Sequence, residues 1–448
     1  MTSTLLPSDS LHRLHSPTIH RLANGLTIIA EQIPVDAVNL NIWLNVGSAV
    51  ESNAVNGMAH FLEHMIFKGT ATLPAGEFER QVEARGATIN AATSQDYTHY
   101  YLTAAPQDFA ALAPLQLEVV LNAEIPEVSF ERERQVVLEE IRRSQDNPRR
   151  RTFYRAMELT FERLPYRRQV LGPAHVVESL TAQQMRDFHA RWYQPQSMTL
   201  AAVGNLPVQE LIEIVETSFE QAWQRTAEPH HQPALTSLLS PLEGVSSGIS
   251  FSPEERFQEI IRQEFYDSSL QQARLVMTWR VPGLVDLEET YALDILASVL
   301  AHGRTSRLVQ DLREQRGLVS GISVSNMTYL HQGVFYISAH LPTEHLALVE
   351  ATIAQHIQAL QTDLITEFEL ERVRTRVANH FIFGNETPSD RSGLYGFYHA
   401  LLGDLDGAVR YPAYIHAVSP EQIRAAAQQY LTPSAYAVVI THPNDRGY

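Results

Sequence analysis

Apolar and polar residues alternate over residues 18–22, 26–31 and 38–46, the period-2 pattern of half-buried strands, and Asn24-Gly25 supplies a tight turn between the first two. The chain therefore opens on a hairpin-rich sheet. The period lengthens to that of amphipathic helices over about 55–67, 75–85, 107–122, 129–146 and 182–193, with a strand-like stretch at 87–104 between the second and third. Strands mixed irregularly with helices predict an α+β fold of sandwich-like layers, each sheet mainly antiparallel with packed helices, and not a strict βαβ series.

Residues 224–264 break this rhythm. Pro229, Pro233, Pro241 and Pro253 lie among His, Ser and Glu, together with the small-residue run Gly244-Val245-Ser246-Ser247-Gly248, so the stretch reads as a linker. Beyond it the pattern predicts strands at 273–280 and 333–341 and helices at 287–301 and 306–315. Thr181-Ala-Gln-Gln-Met-Arg186 with Trp192 and Pro195 matches Ser419-Pro-Glu-Gln-Ile-Arg424 with Tyr430 and Pro433 at one constant offset of 238 residues. A Ser/Thr cap, an amphipathic helix and an identically placed proline recur together, which predicts a duplicated domain: 1–223, a linker at 224–264, and a homologous domain without metal motif at 265–448.

The length of 448 residues agrees with this, being too great for one ordinary core. With 34 basic and 51 acidic side chains, the formal charge of -17 speaks against a non-specific grip on nucleic acid or an anionic membrane. Such an acidic chain would favour basic peptides, or merely remain soluble. The absence of cysteine excludes disulfides, thiolate ligands and a cysteine nucleophile, so any metal must sit on His, Asp or Glu. The first 17 residues lack a basic head followed by an apolar run, and no stretch approaches the ~20 apolar residues of a membrane span. A soluble protein of cytoplasmic type is expected, an organellar address remaining compatible.

The predicted helix at 55–67 is apolar almost all round except for His60, Glu63 and His64, which at i, i+3 and i+4 share one face. Leaving these groups unpaired would cost several kcal/mol, and a zinc ion would satisfy them. Glu63, pointing at the open position, could take a proton from a metal-activated water. Core histidines beside a salt-bridged glutamate are the competing reading. The helix at 129–146 weighs against it, because Glu133, Val137 and Glu140 fall at i, i+4 and i+7, with Val136 and Ile141 beside them. Seven helical residues span about 10.5 Å, so one carboxylate is the ligand and the other a supporting group. Glu140 is taken as ligand and Glu133 as the supporting or proton-handling residue, with Glu139 competing for ligation.

His60-Phe-Leu-Glu63-His64, followed after 75 intervening residues by Glu140, resembles the inverted zinc motif of the pitrilysin or insulinase family of metallopeptidases, the inverzincins. Residues 60–70 are similar to the segment around that motif, residues 303–322 to a stretch of the family's second domain, and the resemblance covers nearly the whole chain. It implies Zn2+ on His60, His64 and Glu140, Glu63 as base and Glu133 as a further acidic residue of the site. It also implies two homologous domains facing each other as half of a clamshell, and an endopeptidase acting on peptides or unfolded segments. Mitochondrial processing peptidase and bacterial two-subunit enzymes are similar in chain length. In such proteins substrate adds as a strand to a sheet edge, and residues 87–101, with Asn90 and Ala91, resemble that edge. Family members usually carry an Arg and a Tyr seven residues apart that hold the substrate carbonyl. Here Arg313 is kept as a substrate-binding candidate, and the Tyr position is Ser320. This departure predicts that a homologous sister subunit supplies the Arg/Tyr pair, a homodimer being the alternative. A non-catalytic scaffold or a peptide-binding subunit of the same fold is the rival expectation.

Overall fold

The computed structural model describes residues 14, 16–226 and 251–443. The first half runs β1 (Thr18–Arg21), β2 (Thr27–Gln32), β3 (Val38–Leu44), α1 (Met58–Ile66), α2 (Glu77–Glu83), β4 (Thr88–Thr93), β5 (Thr98–Ala104), α3 (Pro106–Leu121), α4 (Glu127–Asp146), α5 (Pro148–Thr160), α6 (Ala174–Ser179), α7 (Ala182–Trp192), β6 (Met198–Gly204) and α8 (Val208–Thr226). The second half runs β7 (Ile261–Asp267), β8 (Ala273–Pro282), α9 (Leu287–Ala301), β9 (Gly321–Met327), β10 (Gln332–Leu341), α10 (Leu346–Thr362), α11 (Glu367–Phe383), α12 (Pro388–Leu402), α13 (Asp406–Ala417), α14 (Pro420–Tyr430) and β11 (Ala437–Pro443).

Two sheets form among the described residues, ordered β1-β2-β6-β3-β5-β4 and β7-β11-β8-β10-β9. Beyond the extra strand β1 they have the same plan. One parallel pair, β2 with β6 or β7 with β11, is followed by antiparallel neighbours in the same order. The helices singled out by the repeated sequence, α7 and α14, both begin with a reciprocal capping box, in which the Thr181 or Ser419 side chain accepts the N–H of a glutamine that bonds back to the cap.

Each sheet buries one face in its own core, around Phe61, Tyr100 and Phe109 in the first half and around Trp279, Leu296 and Phe335 in the second. The other face is covered by a helix of the opposite half. α12 crosses onto β3 and β6, where Tyr395 and Tyr398 pack with Ile29, Ala201 and Val203. α5 crosses onto β8 and β11, where Ala156 meets Val276 and Val439. Polar pairs complete both contacts: Tyr395 donates to Glu31 at 2.7 Å with Arg391 beside it, Thr160 meets Thr278 at 2.7 Å, and Arg151 pairs with Asp267. The close seat of α12 needs Gly396, because a Cβ there would lie 2.1 Å from the Trp43 ring.

Several boundaries differ from the sequence pattern for identifiable reasons. The stretch at 87–104 is two strands, folded back where the Ser94 N–H reaches the Tyr97 carbonyl at 2.8 Å. α4 starts at Glu127 behind Pro126, two residues before the expected start at 129, and Val136 is exposed. The expected linker lies mostly at 227–250, outside the described residues; its first three residues complete α8, and its last four open β7. The segment predicted as a helix to residue 315 winds as a π-helix over Val309–Gln315.

Candidate metal centre

The helix carrying the histidines is fixed at its start by a buried carboxylate. Gly57 turns the chain into α1 at φ +102°, where a side chain would meet the Leu171 carbonyl at 2.7 Å. Glu51 then accepts from the Gly57 N–H (2.9 Å), the Ala59 N–H (2.7 Å) and the Asn56 amide (2.8 Å), filling donors that a helix start leaves open. Burial raises the Glu51 pKa above its ordinary value against the pull of these bonds. Anchored this way, α1 sends Phe61 onto Phe130 of α4, with stacked rings 4.6 Å apart, and brings its polar stripe against the same helix.

There Nε2 of His60 and Nε2 of His64 each lie 3.6 Å from Oε2 of Glu140, and the three donor atoms all fall within 4.8 Å of one another. A tetrahedral ion with ligands at about 2.1 Å would hold them about 3.4 Å apart, so the donor set fits zinc in spacing and in chemistry, and leaves a fourth position for reactants. Burial and the neighbouring His64 lower the His60 pKa to about 4, which keeps its ring neutral, as ligation requires. At His64 burial works in the same direction, but bonds to Glu140 and Glu133 outweigh it and the pKa rises. The bond from His64 draws the Glu140 pKa down against its partial burial.

Two carboxylates stand around this set. Glu63 accepts a 2.5 Å hydrogen bond from the Thr93 hydroxyl on β4, and burial raises its pKa. Glu133 takes His64 Nδ1 at 3.0 Å on one oxygen and Lys68 Nζ at 2.8 Å on the other. That bond turns His64 Nε2 toward Glu140 and marks Glu133 as a positioning residue. Glu139, the competing ligand, is turned outward onto Arg142 and Arg143.

The centre opens into a cleft of about 760 Å³ between the halves, with His60, Glu63, Thr93 and Glu140 on one wall and Arg274, Ser323, Tyr336 and Ser338 on the other. Asn90 and Ala91 lie on β4, which ends its sheet, but the cleft is reached by Ala92 and Thr93. The exposed Asn90 side chain accepts the Ala91 N–H at 2.9 Å, and Ala91 packs toward the first core. Arg313 does not line the cleft, where the expected substrate-binding role would put it; its Nε and Nη2 meet the neighbouring Glu314 at 2.9 and 2.7 Å. Ser320 donates to Gln272 at 2.6 Å. Sequence reasoning missed Glu51, Lys68 and Thr93. Lys68 had a signal, four residues beyond His64 on the helix line, whereas Thr93 comes from a strand with no local cue.

The model of the insulinase family, peptidase family M16, matches residues 27–174, and the model described as the peptidase M16 inactive domain matches residues 179–377. The chain belongs to peptidase family M16. A relative from Mycobacterium tuberculosis named an uncharacterised zinc protease is 29% identical over 97% of this M16 chain and 95% of its own. Another of that name, from Rickettsia bellii, is 27% identical over 96% and 98%. The crystal structure of a protease from Helicobacter pylori is similar at a TM-score of 0.83 and 25% identity, covering 96% of this chain and 99% of that one. In this M16 chain all three residues of the candidate metal site fall in the first matched segment, while Arg274 and the serines of the far wall fall in the one matched by the inactive-domain model. No helix among the described residues is long and apolar enough to cross a membrane.

Proposed function

We propose that this chain is the zinc-bearing subunit of an endopeptidase that hydrolyses peptides or unfolded segments. The observation that carries the reading is the convergence of His60, His64 and Glu140 within 4.8 Å at the mouth of a cleft, with Glu63 beside them and outside the donor set. His60, His64 and Glu140 would hold the zinc, which would supply Lewis acidity and lower the pKa of a water toward about 7. Glu63, steered by Thr93, takes the proton from the attacking water and returns it to the leaving amine. Glu133 and Lys68 act through His64, holding its ring in the ligating orientation. The open edge of β4, which reaches the cleft at Ala92 and Thr93, offers backbone groups to an extended substrate.

Full activity calls for a homologous sister subunit. Arg313 is tied to Glu314 and Ser320 to Gln272, so neither is turned to the substrate carbonyl from within this chain. A second copy of the same chain would bring the same serine, which favours a heterodimer over a homodimer. The test is metal analysis of the purified chain, followed by a peptide-cleavage assay of the chain alone and with any co-purifying homologue. Bound zinc with weak cleavage alone and strong cleavage by the pair is expected. Strong cleavage by the lone chain ends the two-subunit reading, and a chain that takes up no zinc ends the peptidase reading in favour of a scaffold.

A further inference from the structure

The wall facing the metal centre is basic, although the chain as a whole carries a formal charge of -17. Arg149 and Arg150 at the start of α5 and Arg274 at the start of β8 all line the cleft. None of the three is ion-paired with a carboxylate among the described residues, whereas the adjacent Arg151 is matched by Asp267. Arg274 is the most informative. Its Nε is buried without an acceptor, and its Nη1 rests on His340 Nε2 at 3.0 Å. That ring is kept neutral by burial and by the charges of Arg274 and Arg149, so it offers no countercharge. Burial, and then Arg149, also lower the pKa of the Arg274 guanidinium itself, against a weaker opposite pull from Tyr336 and from Asp267, which is already paired with Arg151. A half-buried guanidinium with an unfilled donor and the cationic Arg149 beside it is costly unless an anion completes it.

The surroundings suit such an anion. The cleft-facing positions of β9 and β10 are Ser323, Ser325, Met327, Tyr336 and Ser338, hydroxyl-bearing except for Met327, while the alternate residues Val324, Phe335 and Ile337 fill the second core. The acidic groups that line the cleft, Glu63 and Glu140, stand across it in the metal centre, and the charge of Arg150 reaches Glu140, so the two sites adjoin.

We propose that Arg149, Arg150 and Arg274, with the serines of β9 and β10, form a subsite for a carboxylate of the bound peptide next to the metal centre. The proposal rests on the endopeptidase reading for the nature of its ligand. The cleft then selects peptides with an acidic side chain, or a free C-terminus, near the bond to be cut. That is the opposite of the preference the net charge suggests. Paired N–H groups of arginine suit a carboxylate, which gives selection and not merely attraction.

The test uses the full chain in a Glu63→Gln background, so that peptides survive, and reads fluorescence anisotropy with three fluorescein-labelled peptides of one sequence. One has a central Glu and an amidated end, one a central Gln and an amidated end, and one a central Gln and a free C-terminal carboxylate. One of the two acidic forms should bind about tenfold more tightly than the neutral peptide, a difference of ~1.4 kcal/mol, and which of them does so identifies the source of the carboxylate. The preference should shrink with added salt and vanish in Arg149→Gln/Arg274→Gln. Arg149→Gln alone, at an exposed position with no side-chain partner, should already reduce it and serves if the double variant does not fold. Equal affinity for all three peptides at low salt overturns the subsite. Zinc content is measured on the same samples: discrimination without bound zinc would refute the metallopeptidase reading and leave the carboxylate subsite standing.

Discussion

The two halves solve one structural problem in opposite ways. In each, a largely buried helix after the second strand of the repeat, β3 or β8, packs against a long helix later in the chain: α1 against α4 in the first half, α9 against α11 in the second. On α1 the polar groups of the contact, His60 and His64, meet Glu140 with spacing left for an ion. On α9 the polar groups are closed by the protein itself. Arg376 of α11 donates to the Ser298 hydroxyl at 3.0 Å, and Asp294 accepts from Asn326 at 2.9 Å and from Tyr411 at 2.7 Å. One helix pair thus leaves spacing that an ion could fill, and the other closes its polar groups on side chains of the same half. What separates them is the satisfaction of buried polar groups, not the fold.

Removing a donor from the incomplete pair should have the largest effect. Glu140→Gln should take bound zinc from about one ion per chain to near zero by metal analysis, since two imidazoles alone make a poor site. Glu63→Gln should leave zinc in place and lower cleavage by the assembled enzyme by about 10²–10⁴-fold; an effect below tenfold would remove Glu63 from the role of base.

The complete pair can be broken without touching the metal. Burial raises the Asp294 carboxyl to about 6. Between about pH 4 and 6 the folded chain keeps a proton that the unfolded chain has lost. This contribution to stability is therefore full below pH ~4 and is lost as pH rises through 6, by up to about 3 kcal/mol. Asp294→Asn, with Tyr411 able to turn from donor to acceptor, should flatten that slope in denaturant melts and leave zinc content unchanged. The smallest effect belongs to Glu133→Gln, which loosens His64 without removing a ligand. Zinc affinity in a competitive chelator titration should fall about tenfold.

The residues of the candidate centre were legible because helical periodicity is local: His60, Glu63 and His64 within one turn, and Glu133 and Glu140 within two, announce which face they share before any tertiary structure is known. The choice between Glu139 and Glu140 was harder, as neighbours on a helix point about 100° apart and only the packing of α4 decides which looks inward. The duplication was visible in one capped helix, yet the matching strand order is a stronger sign of it and leaves no mark on local pattern. The crossing of α5 and α12 was not legible at all. Thr160 finds Thr278 and Tyr395 finds Glu31 across 118 and 364 residues, and nothing in a periodic pattern records a partner so distant. The same limit hid the basic wall, where three arginines from two separate segments meet only in the folded chain.

That crossing makes each half the keeper of a piece the other needs. α5 belongs by sequence to the first half and by burial to the second sheet, and α12 the reverse. A single cut between Thr226 and Phe251 would therefore yield two fragments that travel together through gel filtration, because separating them strips a helix from both sheets at once. Covalent continuity and mechanical continuity are different properties in this molecule. On this expectation the clasp of two borrowed helices, more than the peptide bonds between the halves, holds them together.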